Sequence, residues 1–154
     1  MDELPCAIVL GIAPGILEET LFRGILIGKL RESGKGMMTT LVVSSLMFGL
    51  MHIINNIDGV LSQVLYSVVA GMVFGAVYLV SRDIVSVVIF HSATDICQRL
   101  YKAADGETTV DMFLTFLAIL AIEAVWAVWL VRRAEKKEKS ANQAIVAENK
   151  TGTP

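Results

Sequence analysis

Ionisable side chains interrupt three stretches of the sequence that are otherwise apolar. Glu19 and Arg23 are four residues apart, as are His91 and Asp95, so each pair lies on one face of a helix. His52 stands near the end of a third apolar stretch. An ionisable group near the centre of a bilayer costs about 2.5–3.5 kcal/mol on insertion scales, so burial of these groups against one another is favoured. We therefore expect them to share one interior site.

Glu18 is the carboxylate of this set that Arg23 need not neutralise. It lies about 100° around the helix from Glu19, so the two carboxylates cannot both face Arg23. A carboxylate held away from bulk water can act as a general base, and nearby histidines can hold the proton or stabilise an oxyanion. Such a set can hydrolyse a peptide bond without a covalent intermediate. No serine of the apolar stretches has a base four residues away, which leaves a serine nucleophile unsupported.

The composition is that of a membrane protein. The chain of 154 residues is 55% hydrophobic and 18% charged, with a mean hydropathy of +0.64. Soluble domains are about 45–50% apolar and about 25% charged. Nine of the 28 charged residues lie in 132–150, so too few remain to cover a soluble globule. The net charge of −2 argues against nucleic acid as a partner, and the two cysteines form neither a disulfide framework nor a zinc knuckle.

The apolar stretches predict about five membrane-spanning helices, each of roughly 20 residues. The five stretches are approximately 5–28, 37–55, 60–80, 84–100 and 112–131. Pro14 predicts a kink or a restart within the first. Basic residues in the first and third loops and after Val131 predict an outside N-terminus and a cytoplasmic C-terminus. We therefore predict an all-α polytopic transmembrane bundle, with a membrane core over 1–131 and a basic, largely disordered tail over 132–154.

Three short motifs occur in these stretches in a defined order. Residues 18–24 read EETLFRG and fit EExxxRG, residues 48–52 read FGLMH and fit FxxxH, and residues 91–95 read HSATD and fit HxxxN/D. Together they resemble the CPBP family of CAAX proteases and bacteriocin-processing enzymes, formerly called the Abi family. This family includes the type II CAAX prenyl endopeptidases. The resemblance covers about residues 10–100.

The resemblance implies an integral membrane protease of the glutamate type that needs no cofactor. By analogy, Glu18 and His52 would activate a water molecule, and His91 with Asp95 would stabilise the oxyanion, while Glu19 and Arg23 would brace the site. The implied substrate is a peptide or protein at the membrane, including the C-terminal region of CaaX-type prenylated proteins.

Two features depart from the family pattern. Asp95 stands where prenyl endopeptidases often have asparagine, and an ionised aspartate cannot donate a hydrogen bond. Asp95 must therefore be protonated or act by orienting His91. Family members usually have further spans before the EExxxR helix, which makes this chain either a minimal member or a truncated core.

Other functions are compatible with the same residues. Zinc held by Glu18, His52 and His91 would make the protein a metalloprotease, although the sequence lacks HExxH. A catalytically inactive membrane scaffold or a bacteriocin self-immunity protein would use the same fold to bind a partner. A proton-coupled transporter is less favoured, because no pair of broken helices repeats in two halves of the chain.

Purely structural roles are also possible for some polar residues. Asp95 could pair with Arg99 one turn later, leaving His91 as a residue that hydrogen-bonds between helices. Glu123 lies within the last apolar stretch and fits no motif. It could face the bundle and pair with a hydroxyl group or with Arg23.

Overall fold

The described part of the chain is almost entirely helical and contains no strand. The structure is a computed structural model that describes residues 3–55, 60–103 and 110–151. Its elements are α1 (Glu3–Glu19), a π-helix (Thr20–Ile27), α2 (Gly28–Glu32), α3 (Met37–Met51), a 3-10 helix (His52–Asn55), α4 (Val60–Ser81), α5 (Ile84–Ala103) and α6 (Val110–Thr151). The all-α class predicted from the sequence is confirmed.

Among the described residues, two helical stretches are long and apolar enough to cross a membrane. They are Leu4–Glu32 and Leu61–Ser81, with mean hydropathies of 1.5 and 2.0. Only 22% and 39% of their most apolar windows are buried inside the protein. Most of their side chains therefore face outward, unlike those of a helix in the core of a soluble domain. The helix Met37–Met51 is apolar but shorter.

The interior of the bundle carries polar groups while the exterior is apolar. Side chains such as Leu17, Leu61 and Ile122 are 70%, 72% and 69% exposed. Among the residues whose side chains the structure describes, the buried polar ones are Glu19, Arg23, Thr40, Ser44, Ser45, Ser67, His91 and Ser92. Large exposed apolar surfaces are typical of contact with a membrane.

The helical winding changes after Glu19 rather than at Pro14. Residues Glu3–Glu19 form one α-helix that continues through Pro14, so the predicted restart near Gly15 does not occur there. The proline removes one backbone hydrogen bond, a loss that a helix packed against neighbours tolerates. The π-helix Thr20–Ile27 follows directly and carries most of the EExxxRG motif. Segments of π-helix are frequent at functional sites.

Two glycines allow α1 to pack closely against α5. A Cβ atom added at Gly15 would lie 2.3 Å from Ser92 Oγ and 3.3 Å from the Ser92 backbone nitrogen. One added at Gly11 would lie 2.5 Å from Ile96 Cγ1 and 3.1 Å from the Ile96 nitrogen. This close contact brings the end of α1, which carries the two glutamates, against the middle of α5.

We expect Gly15→Leu to force α1 and α5 apart and to destabilise the protein by about 1–3 kcal/mol, the usual cost of overpacking. Thermal unfolding in detergent measures the change. The matched control is Gly28→Leu, because a Cβ atom at Gly28 meets nothing within 4 Å. Equal stability of the two variants would contradict the close packing of α1 on α5.

A short turn and a side-chain cap define the start of α5. Arg82 closes the turn after α4 with a φ of 58°. The Asp83 carboxylate then accepts a hydrogen bond from the Val85 amide at 3.0 Å and another from the Ser86 hydroxyl. These hydrogen bonds lower the pKa of Asp83 and satisfy amide groups that the first helical turn leaves unpaired.

The other helices form a second packed group around α4. Gly49 and Gly71 allow α3 and α4 to approach, since added Cβ atoms would meet Val68 and Ser45 at 2.3 and 3.2 Å. An apolar cluster joins the end of the π-helix, the start of α3, the later part of α4 and the middle of α6. Its buried members are Ile27, Met37, Leu41, Ala76, Leu79, Ala127 and Val131.

The segment after Val131 continues α6 as a helix to Thr151. The sequence predicted disorder over most of this segment. Its alanine, glutamate and lysine residues are good helix formers, and Arg31 donates a hydrogen bond to Glu138 at 2.5 Å. The division of the chain into a membrane core and a separate tail stays a prediction.

Candidate active site

A cavity of about 520 Å³ opens between α1, α4, α5 and the junction of α3 with the 3-10 helix. The sequence-predicted residues Glu18, His52, His91 and Asp95 all line it. The other polar residues in its wall are Gln63, Tyr66, Ser67, Thr94, Gln98 and Arg99. The predicted bracing residues Glu19 and Arg23 are fully buried and do not line it.

Three polar atoms from three helices converge at the inner end of this cavity. Glu18 Oε2 lies 3.7 Å from His52 Nε2 and 3.9 Å from His91 Nε2. Both distances exceed those of a direct hydrogen bond. Glu18 Oε2 also has no hydrogen-bond partner among the described residues. The carboxylate therefore remains available to a polar group that enters the cavity.

The last turn of α3, which ends just before His52, orients the imidazole of this residue. Its Nδ1 lies 2.8 Å from the carbonyl oxygen of Phe48, one turn earlier. Because a carbonyl only accepts hydrogen bonds, Nδ1 carries the proton and Nε2 is directed towards Glu18. The imidazole also packs on the Phe48 ring, with centroids 4.8 Å apart. The FxxxH spacing thus supplies both the acceptor and the packing surface for this histidine.

His91 is oriented by a contact between helices that the sequence did not predict. Its Nδ1 lies 2.7 Å from Glu19 Oε1, so Nδ1–H donates to this buried carboxylate. Its Nε2 faces the cavity, where Asp95 Oδ1 lies 3.8 Å away. The ring stacks on Phe74 of α4, with centroids 4.7 Å apart and planes at 30°. Glu19 therefore holds an imidazole as well as the guanidinium of Arg23.

The buried ion pair of Glu19 and Arg23 ties the π-helix to α4. Arg23 Nη1 donates to Glu19 Oε1 at 3.0 Å, and Arg23 Nη2 donates to the carbonyl of Gly71 at 3.0 Å. The guanidinium carbon lies 4.6 Å from the centre of the Phe48 ring and 5.4 Å from that of Phe74. A buried charge requires this kind of pairing to offset its loss of hydration.

Two of the structural alternatives are not found among the described residues. No ion pair within 4.0 Å joins Asp95 to Arg99 in this part of the chain, and Asp95 instead lies near His91. Arg23 bonds to Glu19 and Gly71 rather than to Glu123. Glu123 is half-buried.

The sequence analysis missed the wall of the cavity that α4 supplies. Gln63, Tyr66 and Ser67 line it, and Gln63 donates a hydrogen bond to the Ser67 hydroxyl at 3.3 Å. Gln98 of α5 donates to the Tyr66 hydroxyl at 2.5 Å and so connects α5 to this wall. This wall could have been predicted, because Tyr66 and Ser67 follow Gln63 by three and four residues, a spacing that places the three polar groups on one face of an apolar helix.

Within the residues that the structure describes, no group of three or more histidine, cysteine, aspartate or glutamate side chains could hold a metal ion. The zinc hypothesis stays untested, and metal analysis with chelation is its direct test.

Comparison with protein-family models matches residues 2–97, more than half of the chain, to the Rce1-like family, described as type II CAAX prenyl endopeptidase Rce1-like. The chain belongs to the Rce1-like family. The resemblance to CPBP and CAAX proteases inferred from the three motifs is thereby confirmed. Comparisons with curated proteins and with solved structures give no match.

Membership of the Rce1-like family assigns a membrane-embedded location and the general activity of a protease, which is a hydrolase. The matched region contains all three motifs and all six residues predicted for the site.

Proposed function

We propose that this protein is an intramembrane endopeptidase of the glutamate type, in which Glu18 and His52 activate a water molecule to attack a peptide bond. The observation that carries the proposal is the convergence of Glu18 Oε2, His52 Nε2 and His91 Nε2 at the inner end of one cavity. Because these atoms come from three helices and face the same space, they can act on the same bond.

The first step transfers a proton from water to Glu18 while the water oxygen bonds to the carbonyl carbon of the substrate. His52 Nε2 accepts a hydrogen bond from the same water and orients it, because its Nδ1 already donates to Phe48. The tetrahedral intermediate then collapses as Glu18 returns the proton to the leaving nitrogen. The carbon–nitrogen bond breaks, and the products are a carboxylic acid and an amine.

His91 and Asp95 act on the oxygen that becomes negative in the intermediate. His91 Nε2 donates to this oxygen when the ring carries its second proton, and Glu19 holds the ring in position through Nδ1. Asp95 lies 3.8 Å from the same Nε2, so its charge acts through His91. This role removes the difficulty that an ionised aspartate cannot itself donate to the oxyanion.

The proposed setting is a bundle of five membrane spans with an outside N-terminus and a cytoplasmic C-terminus. The basic loops lie at one end of this bundle. The cavity lies near the start of α4 and the end of α5, at the end of the bundle away from the basic loops; its residues there are Gln63, Tyr66, Gln98 and Arg99. In this setting the cavity would open away from the cytoplasm. The substrates to test are membrane peptides whose N-terminus or C-terminus is accessible to water, together with a prenylated CaaX peptide.

The proposal predicts that His52→Ala lowers the rate of peptide cleavage by at least about a hundredfold, the lower range for loss of acid–base assistance. Purified protein in detergent micelles is incubated with these peptides in water labelled with ¹⁸O, and mass spectrometry identifies the products. Hydrolysis places one labelled oxygen in each new carboxyl group. Met51→Ala is the matched control, since Met51 is the exposed neighbour of His52.

Three outcomes would redirect the assignment. Cleavage by His52→Ala at the parent rate would contradict the proposed chemistry. Stoichiometric zinc, with loss of activity on chelation, would favour the metalloprotease with Glu18, His52 and His91 as ligands. Absence of any cleavage, with a partner-binding phenotype that survives Glu18→Gln, would favour the scaffold or self-immunity function.

A further inference from the structure

We propose that Arg99 binds a carboxylate of the peptide substrate and thereby determines which bond enters the site. This inference rests on the proposed function, because it concerns the same cavity. It adds a specificity determinant that lies outside the three sequence motifs. The ligand chemistry is a carboxylate, supplied either by the C-terminus of the substrate or by an acidic side chain.

Arg99 lies on the wall of the cavity and has no close ionic partner among the residues that the structure describes. His91, Asp95 and Arg99 follow one another at intervals of four residues, and all three line the cavity. No hydrogen bond and no ion pair within 4.0 Å joins Arg99 to another described residue. The N–H donors of its guanidinium are therefore available to a ligand.

The charges in the cavity direct an anionic group towards Arg99. Among the described residues that line it, Arg99 is the one permanently charged cation, while Glu18 and Asp95 are carboxylates. The carboxylates of Glu18 and Asp95 repel a substrate carboxylate, while Arg99, one helical turn beyond Asp95, attracts it. Arginine binds carboxylates through paired hydrogen bonds, which adds geometric selectivity to the attraction.

The spacing along α5 sets where this carboxylate lies in the substrate. Arg99 follows His91 by eight residues, which is about 12 Å along the helix axis. An extended peptide advances about 3.3–3.6 Å per residue. The carboxylate is therefore expected about three or four residues from the bond that is cut.

A different role for Arg99 must be distinguished from this one. Arginine near the end of a membrane helix often extends to the interface between lipid and water. In that role Arg99 would position α5 in the membrane and would not discriminate between peptides by charge. The two roles predict different responses to neutralisation of the peptide carboxylate.

The test measures peptide binding to Glu18→Gln protein, so that it does not depend on cleavage. One fluorescent apolar peptide is prepared as the free acid, as the C-terminal amide, and as the amide with one glutamate near its C-terminal end. Fluorescence anisotropy in detergent micelles gives each Kd. We expect a carboxylate form to bind about tenfold more tightly than the plain amide, the low end for a charge-assisted hydrogen bond.

Adding Arg99→Gln should remove this preference, and adding Arg99→Lys should keep part of it. The control is Arg132→Gln, because Arg132 is an exposed arginine of α6 outside the cavity, and this variant should leave the preference unchanged. Preference for the free acid identifies the C-terminus as the source, and preference for the glutamate form identifies a side chain. Equal binding of all three forms, or no binding of any, overturns the proposal. Failure of the proposed function is a separate result, namely cleavage that does not depend on Glu18.

Discussion

Replacing Glu18 by glutamine is expected to lower kcat/KM for peptide cleavage by at least about a hundredfold, because general bases contribute about 10²–10⁴-fold. Glutamine has the same shape as glutamate but cannot take a proton from water. The Glu18 carboxylate makes no hydrogen bond to another described residue, so no structural bond is lost. We therefore expect thermal stability to be unchanged while activity is lost.

The matched control for this prediction is Glu32→Gln. Glu32 is exposed at the end of α2 and pairs with Lys29 on the surface. The Glu32→Gln substitution should therefore leave both activity and stability at the parent level. A variant Glu18→Gln that cleaves as fast as the parent would show that Glu18 is not the base, even if the family assignment holds.

Replacing Arg23 by methionine is expected to lower the free energy of unfolding by about 3–5 kcal/mol, the usual cost of removing one partner of a buried ion pair. Arg23 and Glu19 are 1% and 0% exposed, so the remaining carboxylate has no access to water. The variant also loses the hydrogen bond to the Gly71 carbonyl and the contacts with two aromatic rings. Unfolding by a denaturing detergent measures the change.

Two further variants make this prediction specific. Lys29→Met breaks an exposed ion pair whose side chains are 73% and 68% exposed, and it should change stability little. The double variant Glu19→Gln, Arg23→Met removes the unpaired charge and keeps an oxygen that can accept from His91 Nδ1. It should be more stable than Arg23→Met alone. Equal stability of the two variants would contradict the idea that the unpaired Glu19 charge causes the loss.

The local features of the site were predictable because they depend on helix geometry alone. The contact between Glu19 and Arg23 follows from a spacing of four residues, and it forms even though the winding changes to a π-helix between them. The shared interior site was predictable from the cost of leaving Glu18, His52 and His91 in lipid. The role of each residue in the reaction stays a prediction.

Contacts between helices were not predictable from one sequence. The hydrogen bond from His91 to Glu19 joins residues 72 positions apart, and it depends on how closely α1 packs against α5. The polar wall of α4 had a signal in the spacing of Gln63 and Ser67, but nothing local identified the helix that it faces. The segment after Val131 is helical where the sequence predicted disorder, and its Glu138 accepts a hydrogen bond from Arg31 of α2, a residue 107 positions earlier.

The sequence by itself determined that the chain is helical and apolar on its outside, and it determined which polar residues had to be kept from lipid. Hydropathy and helical period are properties of one segment, so both can be predicted from the local sequence. Only the tertiary structure decided that Glu19 rather than Glu18 holds His91, that Arg99 lines the cavity without pairing to Asp95, and that the first helix continues through Pro14. These outcomes depend on the distance and rotation between helices, which arise from close packing of side chains contributed by separate parts of the chain.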